Sequence, residues 1–270
     1  MKLLKSTRQA GRSLTYGSSL GLVMVLLVLC LNPTLASALS VELTRFGTCL
    51  TPPGGCSVTI NDNLAGDFNP TPGVIDFAAV VGQLPDGVFI GTGRAIETIT
   101  HDAAGRVTSI LLNLTNTTVQ GVAGGIGTPS VIAGEIGLIS GEPLASLNGV
   151  AGFAGLNGQY QNPTGTIGFA NISLAARVDG CLVGQVVPPA AVNVPSPVPF
   201  AGFNARNCIF PVNNLLIGTL DFSVAPGDGF FLPTSADSFA TPIPEPTTLL
   251  LLGTAMTGLG LAARWRRRQN

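Results

Sequence analysis

From Val41 to Phe239 the apolar positions come in short runs broken by Gly, Pro, Asn and Asp, and no amphipathic run is long enough for a helix. The clearest unit is GRAIETITHDAAGRVTSILLNLTNTTVQ, where two β-rich runs, Arg94 to Thr100 and Arg106 to Val119, flank the turn-rich HDAAG and predict a hairpin. Further strands are expected in SVTIN, GVIDFAAVV, GVFIGT, SVIAGEIGLIS, GTIGFANISLAARVDG, NLLIGTLDFSVAPG and the short DSFA. Strands at such intervals without intervening helices predict an all-β fold, an antiparallel β-sandwich of jelly-roll-like form. About 200 residues suffice for one core, so residues 39–240 are read as a single domain. The stretch SGEPLASLNGVAGFAGLNGQYQNPTG, rich in Gly, Asn and Ala, is expected to be a long loop. No repeat of fixed period is present, which disfavours a solenoid.

The two ends break this pattern. Residues 1–38 carry basic Lys2, Lys5, Arg8 and Arg12, an apolar core from about Leu20 to Leu31, Pro33, and the small pair Ala36 and Ala38. This is a signal-peptide pattern with expected cleavage after Ala38, and its apolar core is short for a membrane span. Leu29 before Cys30 argues against a lipoprotein signal.

Charge separates the middle from the ends. Between Leu39 and Ala240 the basic side chains are Arg45, Arg94, Arg106, Arg177 and Arg206, with no lysine, against thirteen carboxylates. A surface of that sign repels phosphates, so nucleic acid is not an expected partner. Charged residues make up 10% of the chain, well below the roughly 25% typical of soluble domains, so solubility rests on uncharged polar groups.

Once Cys30 leaves with the signal peptide, Cys49, Cys56, Cys181 and Cys208 remain. In an exported protein four cysteines read as two disulfides. The expected pairs are Cys49 with Cys56 and Cys181 with Cys208, each bracketing a proline-rich excursion. A structural zinc site is disfavoured, because the spacings lack the tight knuckles such sites use.

Candidate chemistry is sparse. His101 is the only histidine and falls in the expected hairpin turn, and no G-x-S-x-G elbow exists, since Gly137 to Gly141 reads GLISG. Glycoside hydrolysis needs only two carboxylates, so Glu97, Glu135, Glu142 and Asp179 leave a carboxylate-dependent glycosidase open. Asn61 to Asn69, NDNLAGDFN, fails as an EF-hand at Ala65 and Pro72, while calcium held by sandwich loops stays open through Asp62, Asp67 or Asp228. Asn113, Asn116 and Asn171 lie in N-x-S/T sequons. Trp265 lies in the tail, so Tyr160 and the phenylalanines are left as rings that could stack on sugars.

The C-terminal segment, residues 241–270, is the most specific part. Ile243-Pro244-Glu245-Pro246 is expected to be extended, because the prolines fix φ around Glu245. Residues 247–263 then run uncharged for 17 residues, about 25 Å as a helix and near the lower limit for a span. Arg264, Arg266, Arg267 and Arg268 follow as a stop-transfer signal in the basic tail 264–270, which places the domain outside and the tail inside. Gly253 and Thr257 form a small-xxx-small pair. The order of proline motif, short span and arginine cluster closely resembles the PEP-CTERM sorting signal of Gram-negative bacteria. That resemblance implies an exosortase, an integral-membrane protease or transpeptidase, that recognises Pro244, Glu245 and Pro246 and removes the anchor, in species that make exopolysaccharide and biofilm. A sortase signal is set aside because Leu232-Pro233-Thr234-Ser235 lacks its pattern.

The expectation is therefore a non-enzymatic exported protein. It would pass through an inner-membrane intermediate with its domain on the periplasmic side and then reach the cell surface or extracellular matrix. A polysaccharide-binding module with exopolysaccharide as partner is the alternative, and a secreted hydrolase the third reading. No cofactor is expected beyond the open calcium question.

Overall fold

Alternation of buried and half-exposed positions, the period-2 signature of a strand with one face on a core, runs through most of the described chain. The computed structural model describes residues 39–47, 56–82, 87–125, 130–145, 149–209 and 215–243. These belong to one contiguous unit, Ser37–Asn270, and the unit Met1–Ala36 lies outside the described residues.

Thirteen strands form: β1 (Ser40–Phe46), β2 (Ser57–Asn61), β3 (Val74–Gly82), β4 (Val88–His101), β5 (Val107–Val122), β6 (Ile132–Ile139), β7 (Val150–Gln161), β8 (Thr166–Val178), β9 (Cys181–Val186), β10 (Ala191–Pro195), β11 (Val198–Cys208), β12 (Leu216–Val224) and β13 (Gly229–Pro242). All pairings among them are antiparallel. One sheet has the order β10-β8-β12-β6-β1-β2, and the other has β11-β7-β13-β5-β4-β3. The outer edge of β8 is shared, with β10 along Thr166–Ala170 and β9 along Leu174–Val178.

The topology is a jelly roll. If β5 to β8 and β10 to β13 are counted one to eight, the sheets read first-eighth-third-sixth and second-seventh-fourth-fifth, the arrangement of two interleaved Greek keys. The β1–β2 hairpin widens one sheet beyond β6, and β3–β4 widens the other beyond β5. The all-β sandwich expectation therefore holds, and the predicted hairpin across HDAAG is β4–β5. Its turn is closed by Asp102, whose Oδ1 accepts the N–H groups of Ala104 (2.8 Å) and Arg106 (3.0 Å).

The core lies between the sheets. Phe89 of β4 meets Phe222 of β12 edge-on, with ring centroids 4.9 Å apart, and Phe230 of β13 packs on Phe222 at 5.6 Å. Gly134 on β6 makes room for both of the first two rings, since a Cβ there would lie 2.6 Å from Phe222 Cζ and 2.9 Å from Phe89 Cε1. On the far side, β9 approaches β7 so closely that a Cβ on Gly184 would sit 2.2 Å from the Ala154 backbone nitrogen.

Two expectations are corrected. The stretch read as a long loop contains β7, a full-length interior strand paired to β11 and β13. Its inward residues Gly152, Ala154 and Gly158 are small because β9 and neighbouring backbone press against them, so side-chain bulk gives little strand signal. The proline-rich stretch between Cys181 and Cys208 is also no excursion, because it forms β9, β10 and β11. Pro195 and Pro199 are tolerated there because β10 and β11 are edge strands. The Cys181–Cys208 disulfide itself is present, with Cα atoms 6.2 Å apart. Cys56 is disulfide-bonded, and Cys49 lies outside the described residues.

Candidate functional site

Three groups of residues can be placed: the acids and histidine, the outer sheet faces, and the exit of the sorting segment. Glu97 is buried and accepts hydrogen bonds from Ser140 Oγ (2.5 Å) and the Gly141 N–H (3.1 Å). His101 stands at the end of β4 with its ring 3.1 Å from Glu142 Oε2. These contacts tie the β4–β5 hairpin to the segment after β6. Asp179 occupies the β8–β9 turn with φ +48°, so two of the four candidate hydrolytic carboxylates, Glu142 and Asp179, sit in connections between strands, while Glu97 lies within β4.

The fourth, Glu135 on β6, is different. It lies directly across from Asp221 on β12 and from Thr44 on β1, on the outer face of its sheet. Burial, and then the charges of Asp221 and Glu42, push its carboxyl above the ordinary glutamate range. Burial likewise raises Asp221, against the pull of Arg177. Asp221 belongs to this acidic face, and the sequence reading passed over it because register, not spacing, brings it opposite Glu135.

The calcium candidates have structural employment. Asp62 accepts the Gly73 N–H (2.7 Å), and Asp67 accepts those of Asn63 (3.0 Å), Asn69 (2.8 Å) and Asp76 (3.1 Å), which closes the β2–β3 connection. Asp228, almost fully buried, accepts from Asn162 Nδ2 and from the Phe169 N–H at 2.8 Å. Among the described residues no three His, Cys, Asp or Glu side chains converge as metal ligands.

The outer face of the second sheet is aromatic and amide-rich. Phe203 of β11, 67% exposed, packs on Phe153 of β7 at 5.1 Å, and Phe153 stacks on Phe239 of β13 at 5.1 Å. Tyr160, expected as a stacking ring, is fully buried against Phe200, and burial pushes its phenol up to about 12. It faces the core because it shares the parity of Val150 and Leu156 along β7.

The sorting segment leaves from β13. This strand lies between β5 and β7, its last residue Pro242 pairs with Val150, and the Ile243 N–H donates to Gly149 O at 2.9 Å. Pro244, Glu245, Pro246, the expected span 247–263 and the arginine tail lie outside the described residues, as do the expected signal peptide and its cleavage point. Leu39, the first described residue, is fully buried and its carbonyl accepts the Asp62 N–H at 3.0 Å. No helix among the described residues is long and apolar enough to cross a membrane.

Fold and exit point together define a jelly-roll domain whose central C-terminal strand runs directly into a tail. A family model described as the PEP-CTERM protein-sorting motif matches residues 242–268, so the chain carries that motif, beginning on the last residue of β13. The motif implies exosortase-type processing and export to the cell envelope. No curated protein matches the chain. Among solved structures, a GH31 alpha-xylosidase from Xanthomonas citri aligns at 10% identity over 73% of this chain and 38% of its own, with a TM-score of 0.10, a likeness that carries no argument.

Proposed function

We propose that the protein is a non-enzymatic surface or matrix-associated component. In this reading the signal peptide delivers the domain across the inner membrane, residues 247–263 hold it there transiently with the domain on the periplasmic side, and an exosortase-type enzyme cuts at Pro244-Glu245-Pro246. The observation that carries it is the sorting-motif match over residues 242–268. The exit geometry supports it: β13 is hydrogen-bonded on both sides, and its pairing to β7 runs to Pro242, two residues before Pro244. The domain's role is read as structural because its histidine and the acids Glu97 and Asp62 are engaged in hydrogen bonds within the fold. The test is fractionation of cells carrying Glu245→Ala. Full-length chain held in the inner membrane is expected, and a shortened variant at the surface would count against the motif.

A further inference from the structure

The β7 strand presents Gln161, Gln159, Asn157, Gly155 and Phe153 to the outside, alternate residues along one line. From Gln161 to Phe153 this line is about 27 Å long at ~3.4 Å per residue. Two depressions lie on it. The first, of about 370 Å³, is lined by Gln120 of β5, Gln159 and Gln161 of β7, Thr118, Ser196 and Gly229 among others. Gly229 of β13 stands in register between Gln120 and Gln161, so the two amides flank a position with no side chain. In the next row Phe231 stands between Thr118 and Gln159. The second depression, of about 540 Å³, is shallow and has Gly155 as floor, with Asn157, Asp237 and Phe203 around it.

The chemistry of this lining selects a ligand class. Each glutamine offers two donors and an acceptor. Among the described residues the amides of Gln120, Gln159 and Gln161 make no hydrogen bond, whereas the side chain of neighbouring Asn162 donates to Asp228 and accepts from the Thr164 N–H and hydroxyl. Free amides beside a braced wall suit a ligand rich in hydroxyl groups. No charged side chain lines the first depression, and the second holds only the carboxylate of Asp237, which accepts from Asn113. Neither has a cation to hold an acidic ligand. The exposed ring of Phe203, backed by Phe153 and Phe239, supplies an apolar plate for the C–H face of a sugar ring.

We propose that this line along β7 binds a neutral glycan chain, with Gln120, Gln159 and Gln161 bonding hydroxyls at one end and Phe203 stacking at the other. Asp237 and the excess of carboxylates over arginines in the domain disfavour acidic polysaccharides by like charge. The inference goes beyond the sorting reading and stands without it.

The experiment is affinity electrophoresis and titration of the full-length protein in detergent micelles, so that tail processing has no bearing on the outcome. The probes are neutral dextran, mannan, galactomannan, xylan and mixed-linkage β-glucan, with alginate and polygalacturonate as acidic controls. At least one neutral polymer should retard the protein and neither acidic one should. Gln161→Ala and Gln120→Ala should each weaken binding about tenfold. Gly155→Leu tests the other end without disturbing the backbone, because a Cβ there meets Phe203 and Asp237 only at ordinary contact distances of 3.8 and 3.9 Å. It should abolish retardation while leaving the unfolding midpoint in place, and Glu135→Gln on the opposite face should bind as the parent does. Retardation by no neutral polymer, retardation by the acidic polymers alone, or neutral binding indifferent to all three cleft variants would overturn the proposal.

Discussion

Ile243 donates its backbone N–H to the carbonyl of Gly149 at 2.9 Å, one residue before the Pro-Glu-Pro sequence begins. The contact falls at the last described residue, directly before Pro244. Just before it, Thr241 Oγ1 donates to the Thr108 carbonyl at 3.0 Å, so the end of β13 is fastened to both neighbours.

This predicts that truncation after Ile243 leaves the urea midpoint of the domain unchanged. Truncation after Ala236 should lower it, because it removes a stretch paired to both β5 and β7 and takes out buried Ala240. A midpoint that already falls on truncation after Ile243 would mean that the tail belongs to the fold.

The Cys181–Cys208 bridge closes 27 residues of sequence. In the chain-entropy model a loop of that size is worth about 3 to 4 kcal/mol. A Cys181→Ser, Cys208→Ser double variant should lose stability on that scale in denaturant unfolding, and a loss below about 1 kcal/mol would show that the three strands between the cysteines hold themselves.

How much of this was legible in the sequence depends on side-chain bulk. The β4–β5 hairpin was readable because Thr, Ile and Leu alternate on both sides of a turn built by Asp102 and Gly105. β7 was not, since its inward Gly152 and Ala154 are small for packing reasons and its outward Gly155 leaves a depression. The glycan line was hidden for the same reason: it depends on Gln120, Gly229 and Gln161 sharing one register across three strands, and only pairing reveals that. Tyr160 misled because its parity could not be assigned until β7 was known to be a strand. The sorting signal was fully legible, since it is a local linear order that needs no folding to be read.

The packing of β9 against β7 is sterically tight. Gly184→Val should be among the most damaging single changes in the domain, because any Cβ meets the Ala154 nitrogen at 2.2 Å and the strands must separate. Overpacking of this kind costs about 1 to 3 kcal/mol, sometimes more. An unchanged denaturation midpoint would show that β9 is free to lift away.

Glu135 and Asp221 face one another across β6 and β12. The raised carboxyl of Glu135 means that the fold favours its protonated form, so stability falls as pH rises from the unfolded value near 4.5 through the folded one. Asp76 has the opposite sign: Arg94, donating at 2.6 and 2.9 Å, holds it low, so its contribution is lost as pH falls below 3.8 through the folded value. Glu135→Gln should therefore stabilise the protein at pH 7, by about 0.2–1 kcal/mol for a relieved like-charge cross-strand pair. The gain should shrink as pH is lowered through the raised folded value towards 4.5, and a gain equal at pH 3 and pH 7 would refute the charge explanation.

The most direct test of the sorting account is the intact mass of the protein recovered from the cell surface. It should correspond to a chain that begins at Leu39 and ends within Pro244-Glu245-Pro246, with the arginines 264–268 gone. Surface material that still carries Arg264, Arg266, Arg267 and Arg268 would contradict it.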